Sequence, residues 1–355
     1  MKQGWQIKDF ELCLDKTKTT TKLKSSLYGE QGAFPIVSQE KELISGYWDK
    51  EEDVFKHKTP IVVFGDHTKV VKYIDFDFVI GADGVKILSP KPFLNPKYFY
   101  YWVCSVQIPS HGYARHYRYL KEHQVPVPNL SEQQRIVALL DAGFAKIDAL
   151  KANAEKNLQN AKDLFQAALK KELEPKEGWK SMLLGDFAKM KAGDFIKASD
   201  IHSDYYEGSF PCYGGNGLRG YVDVPNKEGE YCLIGRQGAL CGNVHIANGV
   251  FRATEHAVVV EPYFSMPIKL VYYLLTALNL NKYSTGAAQP GLSVKNIAEK
   301  AMISIPPEEK YSIITATLDG LSVRTQALQV NYEKTLSLCD DLKQALLRKA
   351  FNGEI

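Results

Sequence analysis

Residues 128–173 read PNLSEQQRIVALLDAGFAKIDALKANAEKNLQNAKDLFQAALKKEL, and residues 306–351 read PPEEKYSIITATLDGLSVRTQALQVNYEKTLSLCDDLKQALLRKAF. Laid side by side without a gap, 178 positions apart, they agree at 17 positions, among them Ile136/Ile314, Leu140/Leu318, Asp141/Asp319, Leu150/Leu328, Leu164/Leu342 and Leu169/Leu347. Unrelated windows of this length would agree at roughly three, so the chain is an internal tandem repeat.

Both copies are built as long helices. Pro126 and Pro128 precede Ser131 and Glu132, and the next forty-odd residues hold no proline and a single glycine, Gly143, so a helix is expected from near Ser131 to near Glu174, before Pro175. Its apolar residues recur every seven positions, with Leu140, Ile147, Ala154, Ala161 and Ala168 on one line and Ile136, Leu150 and Leu164 on a second. The second copy repeats this with Leu318, Tyr332, Cys339 and Leu346, then Ile314, Leu321, Leu328 and Leu342. That is a coiled-coil seam, and two such helices are expected to pair with each other. Either direction is topologically possible; the antiparallel pair, which relates the two halves by a rough twofold axis, is the expected one. A helix of this length spans about 65 Å, on the order of 19 base pairs of B-form DNA.

Working outward, Gly4-Trp5 and Gly178-Trp179 open two globular parts at nearly equivalent offsets. Fainter echoes follow: Gly32-Ala-Phe-Pro35 answers Gly208-Ser-Phe-Pro211, and Pro96 with Tyr100-Tyr101 answers Pro267 with Tyr272-Tyr273. The tyrosines are expected to pack in cores. The expected division is therefore a first domain at 1–127, a long helix at 128–177, a second domain at 178–305 and a second long helix at 306–355. The helices stayed similar while the globular parts diverged.

Composition bounds the function. With 355 residues and 45% apolar content the chain can bury two ordinary cores. No apolar run reaches membrane-span length, and the start lacks a secretory stretch, so a cytoplasmic location is expected. The six cysteines include no Cys-x-x-Cys pair, which points to simple thiols rather than zinc ligands or disulfides. A net charge of +3 is too small for a bulk positive field, so any nucleic-acid surface must come from local placement.

Several enzyme motifs are approached and missed. Gly215-Asn-Gly217-Leu-Arg-Gly220 has dinucleotide-fingerprint spacing, but a Pro211-Cys-Tyr-Gly-Gly turn precedes it and Tyr221-Val-Asp-Val-Pro225 follows as strand and turn rather than helix. Asn95-Pro96-Lys97-Tyr98 nears the Asn-Pro-Pro-Tyr signature of DNA methyltransferases, with Lys97 in place of the second proline. Asp66, Asp83 and Lys86 offer the acids and lysine of a nuclease cluster, with one residue too many for side chains alternating on a strand. His67 beside Asp66 suits a base with its orienter, yet no serine or cysteine is evidently placed as nucleophile.

With these in hand, Val125-Pro-Val-Pro-Asn-Leu-Ser-Glu-Gln-Gln-Arg-Ile-Val-Ala-Leu-Leu-Asp141 resembles the P-x-x-E-Q-x-x-I opening of the conserved helices in type I restriction-modification specificity subunits. Val63–Lys72 and Phe78–Lys86 resemble one variety of their target recognition domains; Gly235-Arg-Gln-Gly238, Ala253-Thr-Glu-His256 and Gly286–Ser293 resemble another. The second helix departs from the pattern, because Pro306-Pro-Glu-Glu-Lys-Tyr lacks the Glu-Gln pair. The first domain also begins almost at its Gly-Trp mark, so a family element upstream of it is expected to be absent. The resemblance implies an α+β fold with two target recognition domains separated by two long helices. It implies a non-catalytic subunit that reads double-stranded DNA in two half-sites and docks two methyltransferase subunits and, in the full complex, restriction/translocase subunits. S-adenosylmethionine, ATP and Mg²⁺ would be bound by those partners, with no cofactor or metal in this chain. The rival readings are a coiled-coil scaffold that binds no DNA, and the specificity part of a single-protein restriction enzyme with cryptic nuclease activity.

Base readers are expected among polar and cationic residues of glycine-punctuated loops. In the first domain these are His67, Thr68 and Lys69, with His111, Tyr113 and Arg115 of the Ser110–His116 loop. In the second they are Asn216, Arg219, Arg236, Gln237, Thr254, Glu255, His256 and Gln289. Arg236 suits guanine and Gln237 or Gln289 suits adenine, each contact worth about 1–3 kcal/mol of discrimination. Glu132, Gln133 and Arg135 are the expected partner-docking residues at the start of the first long helix.

Overall fold

A short extended strand, Gln124–Val127, ends before Pro128, and Asn129 then turns the chain into helix. The Asn129 Oδ1 accepts from the Glu132 amide at 2.9 Å, so Asn129, not Ser131, caps the first long helix, Leu130–Glu172. The second long helix, Tyr311–Asn352, follows a single 3₁₀ turn, Glu308–Lys310. The computed structural model describes residues 4–109, 112, 114–286 and 290–355. Its contacts divide into two units: Met1–Glu155 with Glu333–Ile355, and Lys156–Tyr332.

Each unit takes the start of one long helix and the end of the other. In the first, Ile136, Leu140 and Leu347 enter one core; in the second, their repeat equivalents Ile314, Leu318 and Leu169 do the same. These three identical pairs sit where the two copies do the same packing job, each buried aliphatic contributing about 1.5–3 kcal/mol. Within the first unit the helices run antiparallel, as expected: Arg135 Nη2 donates to the Ile355 carbonyl at 2.7 Å, Asp148 pairs with Lys343, and Lys151 Nζ meets Asp340 Oδ1 at 2.7 Å. A Cβ on Gly143 would stand 2.6 Å from Leu346 Cδ2, so the glycine lets the second helix come close.

The seam differs from its expected form. Ile147, Ala154 and Ala161 of the first line are buried, but Leu150 and Leu164 of the second are 54% and 52% exposed, and Leu328 and Leu342 are 40% and 50% exposed. Of the second line only Ile136 and Ile314 are buried, each in the core of its own unit, while those four leucines farther along face solvent.

The first unit carries two four-stranded sheets. One runs Leu14–Asp15, Val85–Pro90, Ile61–Gly65, Val71–Ile74, antiparallel throughout; the other runs Gly46–Trp48, Phe34–Val37, Phe78–Ile80, Val54–Phe55, with a parallel central pair. Val63, Ile74, Phe78 and Ile80 form one core. On the first sheet lies the helix Pro96–Ser105, whose Asn95 cap accepts from the Lys97 and Tyr98 amides. That cap is what the near-signature Asn95-Pro96-Lys97-Tyr98 encodes.

The second unit has a six-stranded sheet in the order Ala188–Ala192, Ala257–Pro262, Lys227–Gly235, Val244–Ala253, Phe210–Gly214, Gly217–Val222. Pro211–Gly214, expected as a turn, is strand; the turn itself is Gly215-Asn216, closing a hairpin in which Gly214 pairs with Gly217. The helix Ile268–Ala277 packs on the two central strands. Each unit also ties its ends with a two-stranded antiparallel ribbon, Gln6–Asp9 with Gln124–Val127 and Lys180–Leu183 with Met302–Ile305. Among the described residues, no helix is long and apolar enough to cross a membrane.

Candidate nucleic-acid interface

In the second unit three strand ends converge. The Gly215-Asn216 turn, the loop after Lys227–Gly235 and the connection between Val244–Ala253 and Ala257–Pro262 surround an open cleft of about 510 Å³ lined by Asn216, Arg219, Gln237 and His256 with Gly215 and Gly238. The approach is close: a Cβ on Gly235 would stand 1.8 Å from the Gly215 carbonyl oxygen, so only glycine fits there. Four residues expected to read bases, from segments 40 positions apart along the chain (216 to 256), thus share one wall.

Their roles differ in detail. Arg219, Asn216 and Gln237 are exposed. The Asn216 carbonyl oxygen accepts from Asn243 Nδ2 at 3.1 Å, which fixes the amide and leaves its NH₂ for another acceptor. His256 Nε2 lies 3.1 Å from Glu255 Oε1, so the carboxylate orients the ring at the cleft wall. Arg236 is turned inward: Nη1 donates to the Glu255 carbonyl at 3.3 Å, its backbone bonds His256 and Leu292, and its buried Nε has no acceptor among the described residues. In this position Arg236 buttresses the loop that carries Gln237.

Thr254 is fully buried, with its amide bonded to Tyr213 and its hydroxyl facing the His256 amide, so it supports the cleft without reaching into it. Sequence reasoning missed Asn243 and His245. Asn243 sets the Asn216 amide, and the His245 ring lies beneath Gly217, with burial holding its pKa below the ordinary histidine value. Asn243 follows Gly242 in a glycine-punctuated loop, which was the available signal, whereas His245 sits on the strand Val244–Ala253. Gln289 lies outside the described residues.

In the first unit the two expected loops meet at a buried carboxylate. Asp66, 2% exposed, accepts from the Tyr117 amide at 2.9 Å and lies 3.5 Å from Lys86 Nζ, while its carbonyl accepts from the His116 amide at 2.7 Å. Asp66 and Lys86 of the nuclease-like trio therefore belong to a structural tie, with the Asp66 carboxylate taken up by the Tyr117 amide and the Lys86 ammonium. Among the described residues no metal-binding cluster of His, Cys, Asp or Glu occurs. The tie sets exposed Arg115 near the turn His67-Thr68-Lys69, which Gln39 braces by accepting from the His67 amide and the Thr68 hydroxyl. Lys69 takes a left-handed backbone, φ 60°, and reaches the Ile108 carbonyl. His111 and Tyr113 lie outside the described residues.

At the start of the first long helix, Glu132 is held by Arg135 at 2.6 and 2.8 Å. Gln133 is fully buried: its amide donates to the Phe93 and Pro128 carbonyls and accepts from the Asn95 amide. It fastens the helix Pro96–Ser105 to the long helix and offers a partner no surface, which corrects the docking role expected of it.

Two β-rich units, each presenting polar strand-end loops and sharing a pair of long helices, define a DNA-specificity architecture, and the chain belongs to the family of the type I restriction modification DNA specificity domain, whose model matches residues 4–160 and 176–334. It is 40% identical over 215 residues to the specificity subunit of the type I restriction enzyme EcoprrI of Escherichia coli, covering 57% of this chain and 51% of that one. The chain spans about half the length of the curated relatives it matches. In fold it is similar to a chain from a structure describing complex assembly and conformational transition of the type I R-M system, with TM-score 0.74 at 17% identity over 100% of this chain and 99% of that one. It is also similar to the HsdS subunit of Thermoanaerobacter tengcongensis, with TM-score 0.53 at 18% identity over 100% and 98%.

Proposed function

We propose that this chain is the DNA sequence-reading subunit of a type I restriction-modification complex, recognising a bipartite target with one half-site at each unit and carrying no catalysis of its own. The observation that carries this is the cleft where Asn216, Arg219, Gln237 and His256 converge on strand ends. An exposed guanidinium and two carboxamides on a rigid sheet supply the groups that pair bidentately with guanine and adenine edges in the major groove. In the first unit, His67, Thr68, Lys69 and Arg115 are the corresponding readers.

Methyltransferase subunits, two in number, are proposed to dock on the long helices. Leu150 and Leu164 recur as Leu328 and Leu342, identical in both copies yet half-exposed, and exposed apolar side chains retained in this way suit the face of a partner helix. S-adenosylmethionine would be bound by those subunits, and ATP with Mg²⁺ by a restriction/translocase subunit.

Mapping methylated positions in DNA from cells that carry the whole system tests the reading. A split motif with a fixed gap is expected; a short unsplit motif overturns it. Cleavage of plasmid by the pure chain with Mg²⁺ would overturn the non-catalytic part alone.

A further inference from the structure

One contact recurs in both units and is unexplained by reading or docking. Helix Pro96–Ser105 presents Lys97 and Tyr101, four residues apart on one face, to Asp141 of the first long helix; Lys97 Nζ meets Oδ2 at 2.8 Å and the Tyr101 hydroxyl donates to Oδ1. Helix Ile268–Ala277 presents Lys269 and Tyr273, again four apart, to Asp319 of the second long helix; Lys269 Nζ meets Oδ2 at 2.7 Å and the Tyr273 hydroxyl donates to Oδ1 at 2.6 Å. Asp141 and Asp319 are equivalent positions of the repeat, and even the choice of carboxylate oxygen is the same.

The strength of the ion pairs alone does not account for this retention. The lysines are 38% and 57% exposed and the carboxylates 39% and 29%, and ion pairs at such exposure add little. What a two-point grip adds is orientation, because holding both oxygens of one carboxylate from two successive turns prevents a helix from rolling about its axis. Each gripped helix is packed on the strand that leads to the reading loop: Pro96–Ser105 on Ile61–Gly65, which runs into His67-Thr68-Lys69, and Ile268–Ala277 on Lys227–Gly235, which runs into Arg236-Gln237. The path from long helix to reading loop is thus one clasp, one helix and one strand.

We propose that Asp141 and Asp319 are positioning residues that fix each reading sheet against its own stretch of long helix, so that the clasps, beyond helix length alone, set how strictly the gap between half-sites is measured. This rests on the bipartite reading above. The test uses the full chain, wild type, Asp319→Asn and Lys269→Gln, with duplexes carrying both mapped half-sites at the native gap and at gaps one base pair shorter or longer, and duplexes with a single half-site. Asp319→Asn keeps the side-chain shape and Lys269→Gln alters only a surface residue, so both should fold, checked by their unfolding midpoints.

The expected result is single-half-site binding near wild type with native-gap preference reduced about tenfold, the scale of losing a hydrogen bond to a charged group. Unchanged gap preference in both folded variants would overturn the proposal, as would weakening by the same factor on every duplex, which marks a merely structural role. A wild-type chain indifferent to gap length would sink the bipartite reading itself, and the clasp proposal with it.

Discussion

Replacing Gln133 with alanine should destabilise the first unit sharply while leaving the second intact. The buried carboxamide satisfies three backbone groups, the Phe93 and Pro128 carbonyls at 2.9 and 2.8 Å and the Asn95 amide at 2.7 Å, and truncation strands all three. At about 1 kcal/mol net for each bond the loss is about 3 kcal/mol. For a unit of this size that corresponds to a fall of about 6–12 °C in Tm, at roughly 2–4 °C per kcal/mol. Tryptophan fluorescence is a suitable probe because Trp5, Trp48 and Trp102 lie in the first unit and only Trp179 in the second. A loss below about 1 kcal/mol would refute the reasoning, since it would mean that water or a neighbour replaces the amide without cost. Loss of partner binding with an unchanged melt would refute it differently, by showing that Gln133 faces a partner after all.

Arg219→Ala should lower affinity for the second unit's half-site by the about 1–3 kcal/mol of a bidentate base contact and relax preference at one position, measured by gel shift over single-base variants; unchanged preference removes Arg219 as a reader. Arg236→Ala should instead lower the stability of the second unit, read by hydrogen exchange in the 236–240 loop, with base preference little altered at any position. Burial raises the Asp319 carboxyl, but the donors Lys269 and Tyr273 and the lysine charge outweigh it, so its pKa lies below the ordinary 3.8. A depressed carboxyl contributes stability above its unfolded pKa that is lost as pH falls through its folded pKa. The urea midpoint of the second unit should therefore fall on acidification below about pH 4, and less so in Asp319→Asn. Burial pushes the thiols of Cys13 up to about 11 and Cys232 up to about 12, so neither should react with an aromatic disulfide at pH 8 until the chain unfolds.

The long helices were legible because their signal is local and redundant: proline boundaries, a heptad line and a second copy to check against. Leu150 and Leu164 show where that legibility stops, since heptad spacing marks an apolar position without saying whether anything in the chain covers it. The cleft was legible by loop chemistry, and Asn216, Arg219, Gln237 and His256 do converge. Arg236 and Thr254 sit in the same glycine-punctuated segments, but which way a side chain turns is decided by partners that folding brings up, the Glu255 carbonyl for the Arg236 guanidinium and the His256 amide for the Thr254 hydroxyl. The same applies to Gln133, whose acceptors Phe93 and Pro128 flank it only after folding. The clasps were invisible because Lys97 and Lys269 look like ordinary solvated charges until Asp141 and Asp319 are placed beside them.

The division of the long helices between the units has a consequence for biosynthesis. Residues 156–332 are contiguous, so the second unit has all of its chain as soon as that stretch has emerged. The first unit begins earlier but needs Leu347, Ala350 and Phe351 for its core, and these are translated after the whole of the second. The order of completion is therefore the reverse of the order of synthesis. A nascent first unit must wait with Ile136, Leu140 and Tyr98 uncovered, and a stop codon shortly after residue 332 would cost the amino-terminal half its fold while sparing the half beside the truncation.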